Sequence, residues 1–298
     1  MHNALLILPD FALILLGFGL RRALQLGDHF WSALEKLIYL VLFPALLFNA
    51  LAKSHIDFRA AAPLVACGLT ALGTGMGLGL LARPLFGQKS MAFASQFQCA
   101  FRYNSYIGLA VAGKLYGAAG IAAMGILVGT MVPFANLAAV WMLARHGNAR
   151  LLTELAKNPL ILATLAGLAF NGAGLELPGP AAQFLGRLAE ASIALGLLAV
   201  GAALRLRGNA GNHLPGIYIL TVKHLAVPAA TWTAASLFGL PPLYFHIAVV
   251  FAALPTATSA YILAVRMGGD GPGTAWLISA STLAAMLSLP LWLVFIGP

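Results

Sequence analysis

FQCAFRYNSYIGLAVAGKLYG (97–117) is the stretch on which the reading of this chain turns. Apolar runs surround it, yet its first half carries Gln98, Arg102, Tyr103, Asn104, Ser105 and Tyr106. An arginine at the middle of a bilayer costs at least about 2.5–3.5 kcal/mol on insertion scales, so it faces protein, water or a ligand rather than lipid. The rest of the chain decides whether lipid is the solvent to argue from.

Of 298 residues, 61% are apolar and 8% are charged, and mean hydropathy is +0.90. Soluble domains carry roughly 25% charged residues. More than half of a folded surface must face water, so a soluble fold cannot hide this much apolar area. A soluble globular protein, a coiled coil and a disordered chain are excluded. The two cysteines are too few for a disulfide scaffold. The net charge of +9 comes without a Lys/Arg run of five or more and without basic–aromatic interleaving. The expected partner is therefore the lipid bilayer and not nucleic acid.

Apolar runs between charged or Gly/Pro-rich breaks predict an all-α integral membrane protein with ten transmembrane helices. They cover roughly 3–20, 31–52, 60–82, 91–116, 119–144, 158–174, 181–204, 213–238, 242–265 and 273–296. The first run has no basic residue ahead of it and Arg21-Arg22 behind it. A cleavable signal has the reverse arrangement, so this run is read as an uncleaved span. Odd-numbered loops hold Arg21, Arg22, Arg83, Lys89, Arg145, Arg150, Lys157, Arg205, Arg207 and Arg266, whereas the other side holds only Lys53 and Arg59. That asymmetry predicts cytoplasmic odd loops and both termini on the outer side of the membrane. The longest link, RHGNARLLTELAK (145–157), reads as a short amphipathic connector.

The halves repeat. Pro9 and Gly17 match Pro159 and Gly167 at a shift of 150, LEKL (34–37) matches LGRL (185–188) at 151, and Pro63 matches Pro215 at 152. Five spans per copy is an odd number, so residues 1–149 and 150–298 form two inverted repeats. Such repeats characterise secondary transporters whose sites lie at mid-membrane on discontinuous helices. At shift 151 the opening stretch falls on LPTATSAYILAVRMGG (254–269), with Asn104 on Pro255. Proline deletes a helical hydrogen bond and clashes with the preceding turn. Spans 4 and 9 are thus the two expected to break and cross. Backbone N–H groups after Ser105 and after Thr256 would then be helix N-termini, which attract anions. Arg102 adds a full positive charge beside them.

Candidate substrate-binding residues are Arg102, Asn104, Ser105, Tyr106, Gly108, Pro255, Thr256, Thr258 and Ser259. Glu190, Lys223 and His224 fall about ten residues from the ends of their spans. They are candidates for charge or proton coupling, or for fixed structural partners; Glu190 is placed to pair with Arg102, Arg187 or Lys223. His246, Asn49 and Asn136 read as interhelical hydrogen-bonding groups. No HExxH, GxSxG or Asp-rich pair occurs, so no enzyme, metal or cofactor is expected.

YLVLFPALLF (39–48), FRYNSYIGL (101–109), KNPLILATLAG (157–167), KHLAVP (223–228) and LPTATSAYILA (254–264) stand in an order and spacing that resembles the auxin efflux carrier family. That family includes plant PIN carriers and bacterial malate or malonate permeases. The resemblance implies a ten-helix inverted repeat, of the architecture of sodium/proton antiporters and bile-acid symporters. It further implies a scaffold of spans 1, 2, 6 and 7, a transport domain of spans 3–5 and 8–10, elevator-like movement and a homodimer. Two departures stand out: Ser105 follows Asn104 where plant carriers have Asn-Pro, and the long cytoplasmic loop of many plant members is missing. The expectation is a bacterial carrier of small organic anions, carboxylates above all. A cation/proton antiporter or sodium-coupled symporter is the alternative, although spans 4 and 9 hold no carboxylate before Asp270.

Overall fold

The computed structural model describes residues 8–53, 58–144, 159–204 and 213–297. All regular structure among them is helical, as lipid demands of a chain whose backbone groups must find partners internally. The 145–157 connector and the basic residues Arg205 and Arg207 lie outside the described residues.

The first half runs through α1 (Leu8–Ala23), α2 (Asp28–Leu37), a π-turn (Ile38–Leu42), α3 (Phe43–Lys53), α4 (Phe58–Leu80), α5 (Ala82–Phe86), α6 (Ser90–Phe97) and α7 (Ser105–Ala144). The second comprises α8 (Pro159–Gly172), α9 (Gly179–Ala203), α10 (Leu214–Thr221), a π-turn (Val222–Ala226), α11 (Val227–Leu237), α12 (Pro242–Ala253), α13 (Ser259–Arg266) and α14 (Gly271–Ile296). Among the described residues, five stretches are long and apolar enough to cross a membrane: Asp28–Lys53, Ala61–Phe86, Ser90–Leu143, Gly179–Ala203 and Gly271–Ile296.

Ser90–Leu143 has 54 residues. A straight helix of that length would span about 80 Å, far beyond a hydrocarbon core of about 30 Å. It does not run straight. Gly117 adopts φ 57°, ψ −139°, a conformation open to glycine, and Tyr116 is also non-helical. Gly120 then comes back against the Ala112 carbonyl, Tyr103 donates to the Val128 carbonyl at 3.3 Å, and Arg102 reaches Asn136. The pairings 112–120, 103–128 and 102–136 are those of an antiparallel helical hairpin folded at Gly117.

Small residues set the closest packing, as usual between helices in lipid. Gly17 and Gly201 lie directly on the backbones of Leu198 and Ile14, joining α1 to α9. Gly167 lies against Leu51, joining α8 to α3. Helices α1, α3, α8 and α9 pack mainly on one another; α4, α11, α12 and α14 form a second neighbourhood with α6 and α13. Helix α7 touches both.

Candidate functional site

Two helices are interrupted where the sequence predicts. After α6 the chain tightens into a 3₁₀ turn (Gln98–Ala100), loses helical form through Phe101–Asn104, and resumes at Ser105. After α12 it is non-helical from Leu254 and resumes at Ser259. The freed backbone groups satisfy one another across the two breaks. Asn104 N–H donates to the Pro255 carbonyl at 2.8 Å. The Thr256 hydroxyl donates to the Cys99 carbonyl at 2.8 Å, and the Gln98 amide to the Ala260 carbonyl at 3.1 Å.

Arg102 lies inside this knot, 8% exposed. Its Nη1 donates to Gln98 Oε1 at 3.2 Å; its Nη2 donates to Asn136 Oδ1 at 2.7 Å and to Ser259 Oγ at 3.3 Å. All three acceptors are neutral. Among the described residues no carboxylate pairs with this guanidinium. The expected alternative, an ion pair with Glu190, does not form: Glu190 pairs with Arg187 at 3.6 Å, one turn away, with side chains 75% and 85% exposed.

Other candidates take more local roles. Asn104 Oδ1 accepts from Tyr106 N at 3.0 Å and from Ile107 N at 3.4 Å, so it caps α7. Helix α13 begins at Ser259 rather than just after Thr256: the Ala260 and Tyr261 N–H groups make three-residue turn bonds to the Ala257 and Thr258 carbonyls, both at 3.1 Å, while the Thr256 N–H donates to Ser281 Oγ at 3.0 Å. Gly108 is buried by the second break: a Cβ there would stand 2.8 Å from Leu254 Cδ1. Pro255 is buried; Ser105, Tyr106 and Thr258 are half-buried, and Ser259 is exposed, giving the knot one open side. The Tyr106 ring meets Phe43 of α3 edge-on at 4.5 Å, beside Gly196 of α9. The open side thus adjoins the other helix neighbourhood.

Lys223 and His224 lie behind the knot, in the π-turn ahead of α11, both buried. Lys223 Nζ donates to the Ala252 carbonyl at 3.4 Å. His224 Nε2 bonds Ser281 Oγ at 2.9 Å and its Nδ1 bonds Ser288 Oγ at 3.0 Å. His246 bonds the Tyr116 hydroxyl. Sequence reasoning did not assign Asn136 and Gln98 to Arg102, nor single out Ser281. Asn136 could have been found from the hairpin, since a fold-back at Gly117 brings it level with Arg102. An ion pair between buried Asp10 and Lys114, whose side chain is 32% exposed, joins α1 to α7 at 2.9 Å. Among the described residues, no group of three His, Cys, Asp or Glu side chains could hold a metal. The arrangement offers a recessed positive charge and backbone dipoles, and it suits holding an anion more than breaking a bond.

Known proteins resemble this chain over most of its length. The family model described as "Membrane transport protein" matches residues 144–293. An "Uncharacterized transporter" of Methanothermobacter thermautotrophicus is 25% identical over 292 residues, covering 97% of this chain and 96% of that protein. A Rhizobium meliloti protein named "Putative malonate transporter" is 28% identical over 284 residues, 88% of this chain and 86% of that protein. A rice (Oryza sativa subsp. japonica) protein named "Probable auxin efflux carrier component 1b" is 27% identical over 149 residues, 48% of this chain and 26% of that protein. The chain belongs to the membrane transport protein family, that of the auxin efflux carriers, and is a multi-pass membrane transporter and not an enzyme.

Proposed function

We propose that this protein is a secondary carrier of small organic anions, carboxylates in particular, across the bacterial inner membrane. One observation carries the reading: a buried guanidinium, Arg102, held among the described residues by neutral Gln98, Asn136 and Ser259 beside the starts of α7 and α13. A buried charge without a partner is costly, so a site that keeps one is matched to an incoming opposite charge. The name of the Rhizobium meliloti relative points to the same substrate class.

The transport cycle rests on architecture. Ten spans arranged as two inverted repeats, with spans 4 and 9 crossing at the Asn104–Pro255 contact, place the anion at mid-membrane. Helices α1, α2, α3, α8 and α9 serve as a scaffold and the remainder as the moving transport domain, sliding as an elevator with Tyr106 against Phe43 at the boundary. A homodimer formed through the scaffold and periplasmic termini complete the picture. The packing of α1, α3, α8 and α9 on one another supports this division.

The test is uptake of malonate, malate and indole acetate by purified protein in liposomes. Malonate or malate accumulation that is lost in Arg102→Gln supports the reading. Unchanged uptake in a folded Arg102→Gln protein removes Arg102 from the site.

A further inference from the structure

We propose that the Lys223 ammonium is a resident counter-cation for the broken end of α12, standing where a free monovalent cation would otherwise be needed, so that the carrier works without sodium. The inference concerns the cation side of the knot and not the anion held by Arg102.

In an unbroken helix the Ala252 carbonyl would accept from the N–H of Thr256, four residues on. Here that N–H is given to Ser281 Oγ at 3.0 Å. Pro255 has no N–H to offer Phe251 in turn, and the Phe251 carbonyl takes the Leu254 N–H at 3.4 Å instead. The Ala252 carbonyl is therefore left at the negative end of a helix dipole, inside the protein. At half-helix ends of this kind in transporters, exposed carbonyls coordinate sodium or a proton. In this chain the Ala252 carbonyl receives Lys223 Nζ at 3.4 Å. Lys223 is 2% exposed, and among the described residues no carboxylate pairs with it. The end of the first broken helix is treated differently: the Cys99 carbonyl takes the neutral hydroxyl of Thr256. One half-helix end is thus closed by a dipole, the other by a full charge tethered to the π-turn at Val222–Ala226.

The test needs no substrate. Thermal unfolding of the purified full-length protein in detergent is followed in sodium chloride and in choline chloride at equal ionic strength. The wild type is expected to unfold at the same temperature in both salts. Lys223→Gln keeps a hydrogen-bond donor and loses the charge; it is expected to unfold earlier in choline and to recover on the order of 5 °C, saturably, in sodium. Saturable sodium stabilisation of the wild type overturns the proposal. So does a folded Lys223→Gln protein indifferent to sodium, since a donor alone would then suffice. If Lys223→Gln does not fold in either salt, Lys223→Arg and the wild type decide. Indifference of both to sodium sustains the proposal, and a saturable response of either overturns it. Failure of malonate uptake leaves every one of these readouts intact.

Discussion

The backbone N–H of Asn104 donates to the carbonyl of Pro255 at 2.8 Å, and these are the two positions that a shift of 151 residues equates. Two residues that the sequence shift pairs therefore touch. Each break supplies what the other lacks: Asn104 has an N–H with no helical acceptor, and Pro255 lies in a segment whose carbonyls have lost their helical donors. Neither interruption would be tolerable alone at membrane depth, where an unsatisfied backbone group costs several kcal/mol.

Asn104 is expected to be more sensitive to loss of its side-chain oxygen than to loss of its amide nitrogen. Its Oδ1 caps α7 through Tyr106 N and Ile107 N. Asn104→Ala should destabilise by about 1 kcal/mol, the usual value of an N-cap, whereas Asn104→Asp or Asn104→Ser keeps the cap. Thermal unfolding in detergent separates them. Asn104→Asp also places a carboxylate beside Arg102, so it should keep stability and lose anion uptake. Uptake retained in Asn104→Asp would contradict an anion site at this knot.

Arg102 is expected to resist even conservative replacement. Its fork spans Gln98, Asn136 and Ser259, and a lysine ammonium cannot bridge three acceptors in one plane. Arg102→Lys should lower malonate uptake at least tenfold. Asn136→Ala removes the 2.7 Å acceptor and should cost about 1–3 kcal/mol, the range for a buried donor left unpaired. Uptake assays and unfolding midpoints of the two variants read the two effects apart.

Two glycines should rank in a definite order. A Cβ at Gly75 would lie 2.6 Å from the Ala100 carbonyl, which is backbone of the first break; a Cβ at Gly108 would lie 2.8 Å from Leu254 Cδ1, the end of a side chain. Side chains yield and backbones do not. Gly108→Ala should cost about 1–3 kcal/mol as ordinary overpacking, and Gly75→Ala should cost more. Paired with Leu254→Ala, Gly108→Ala should recover part of its loss, while Gly75→Ala should not. Equal midpoints for both single variants would contradict the ordering.

Much of this was legible beforehand, for physical reasons. Apolar runs must be helices in lipid, and a run holding Arg102, Asn104 and Ser105 cannot be an ordinary one. Pro255 announced the second break by deleting a donor. The details that escaped depend on where side chains turn once the backbone is freed. Thr256 looks like the start of a helix, but the chain first makes a turn through Ala257 and Thr258, and α13 starts only at Ser259. Asn136 looks like any polar residue in a span until the fold at Gly117 sets it opposite Arg102. Glu190 is the deepest acid by count along the chain, yet its face on α9 turns outward. Depth along a helix can be counted from a sequence; the face a residue occupies depends on packing.

Two ion pairs, Asp10–Lys114 and Arg187–Glu190, should accordingly behave in opposite ways. Asp10 and Lys114 join α1 to α7 at 2.9 Å, with side chains 6% and 32% exposed. Arg187 and Glu190 lie on the outer face, within about three turns of the end of α9, where long side chains reach the interface. Removing one member of a buried pair leaves the other charge stranded, at about 3–5 kcal/mol for full burial. Lys114 is a third exposed, so Asp10→Asn should cost less than that, on the order of 1–3 kcal/mol. Exposed pairs contribute about 0–1 kcal/mol, so Glu190→Gln should leave the unfolding midpoint nearly unchanged. The comparison also bears on transport. If α1 belongs to the scaffold and α7 to the moving part, Asp10→Asn loosens their contact and should alter the uptake rate, whereas Glu190→Gln should leave uptake at the wild-type level. A large loss of uptake in a stable Glu190→Gln protein would return Glu190 to the coupling machinery, and a neutral Asp10→Asn would show that the α1–α7 contact does not hold the two parts together.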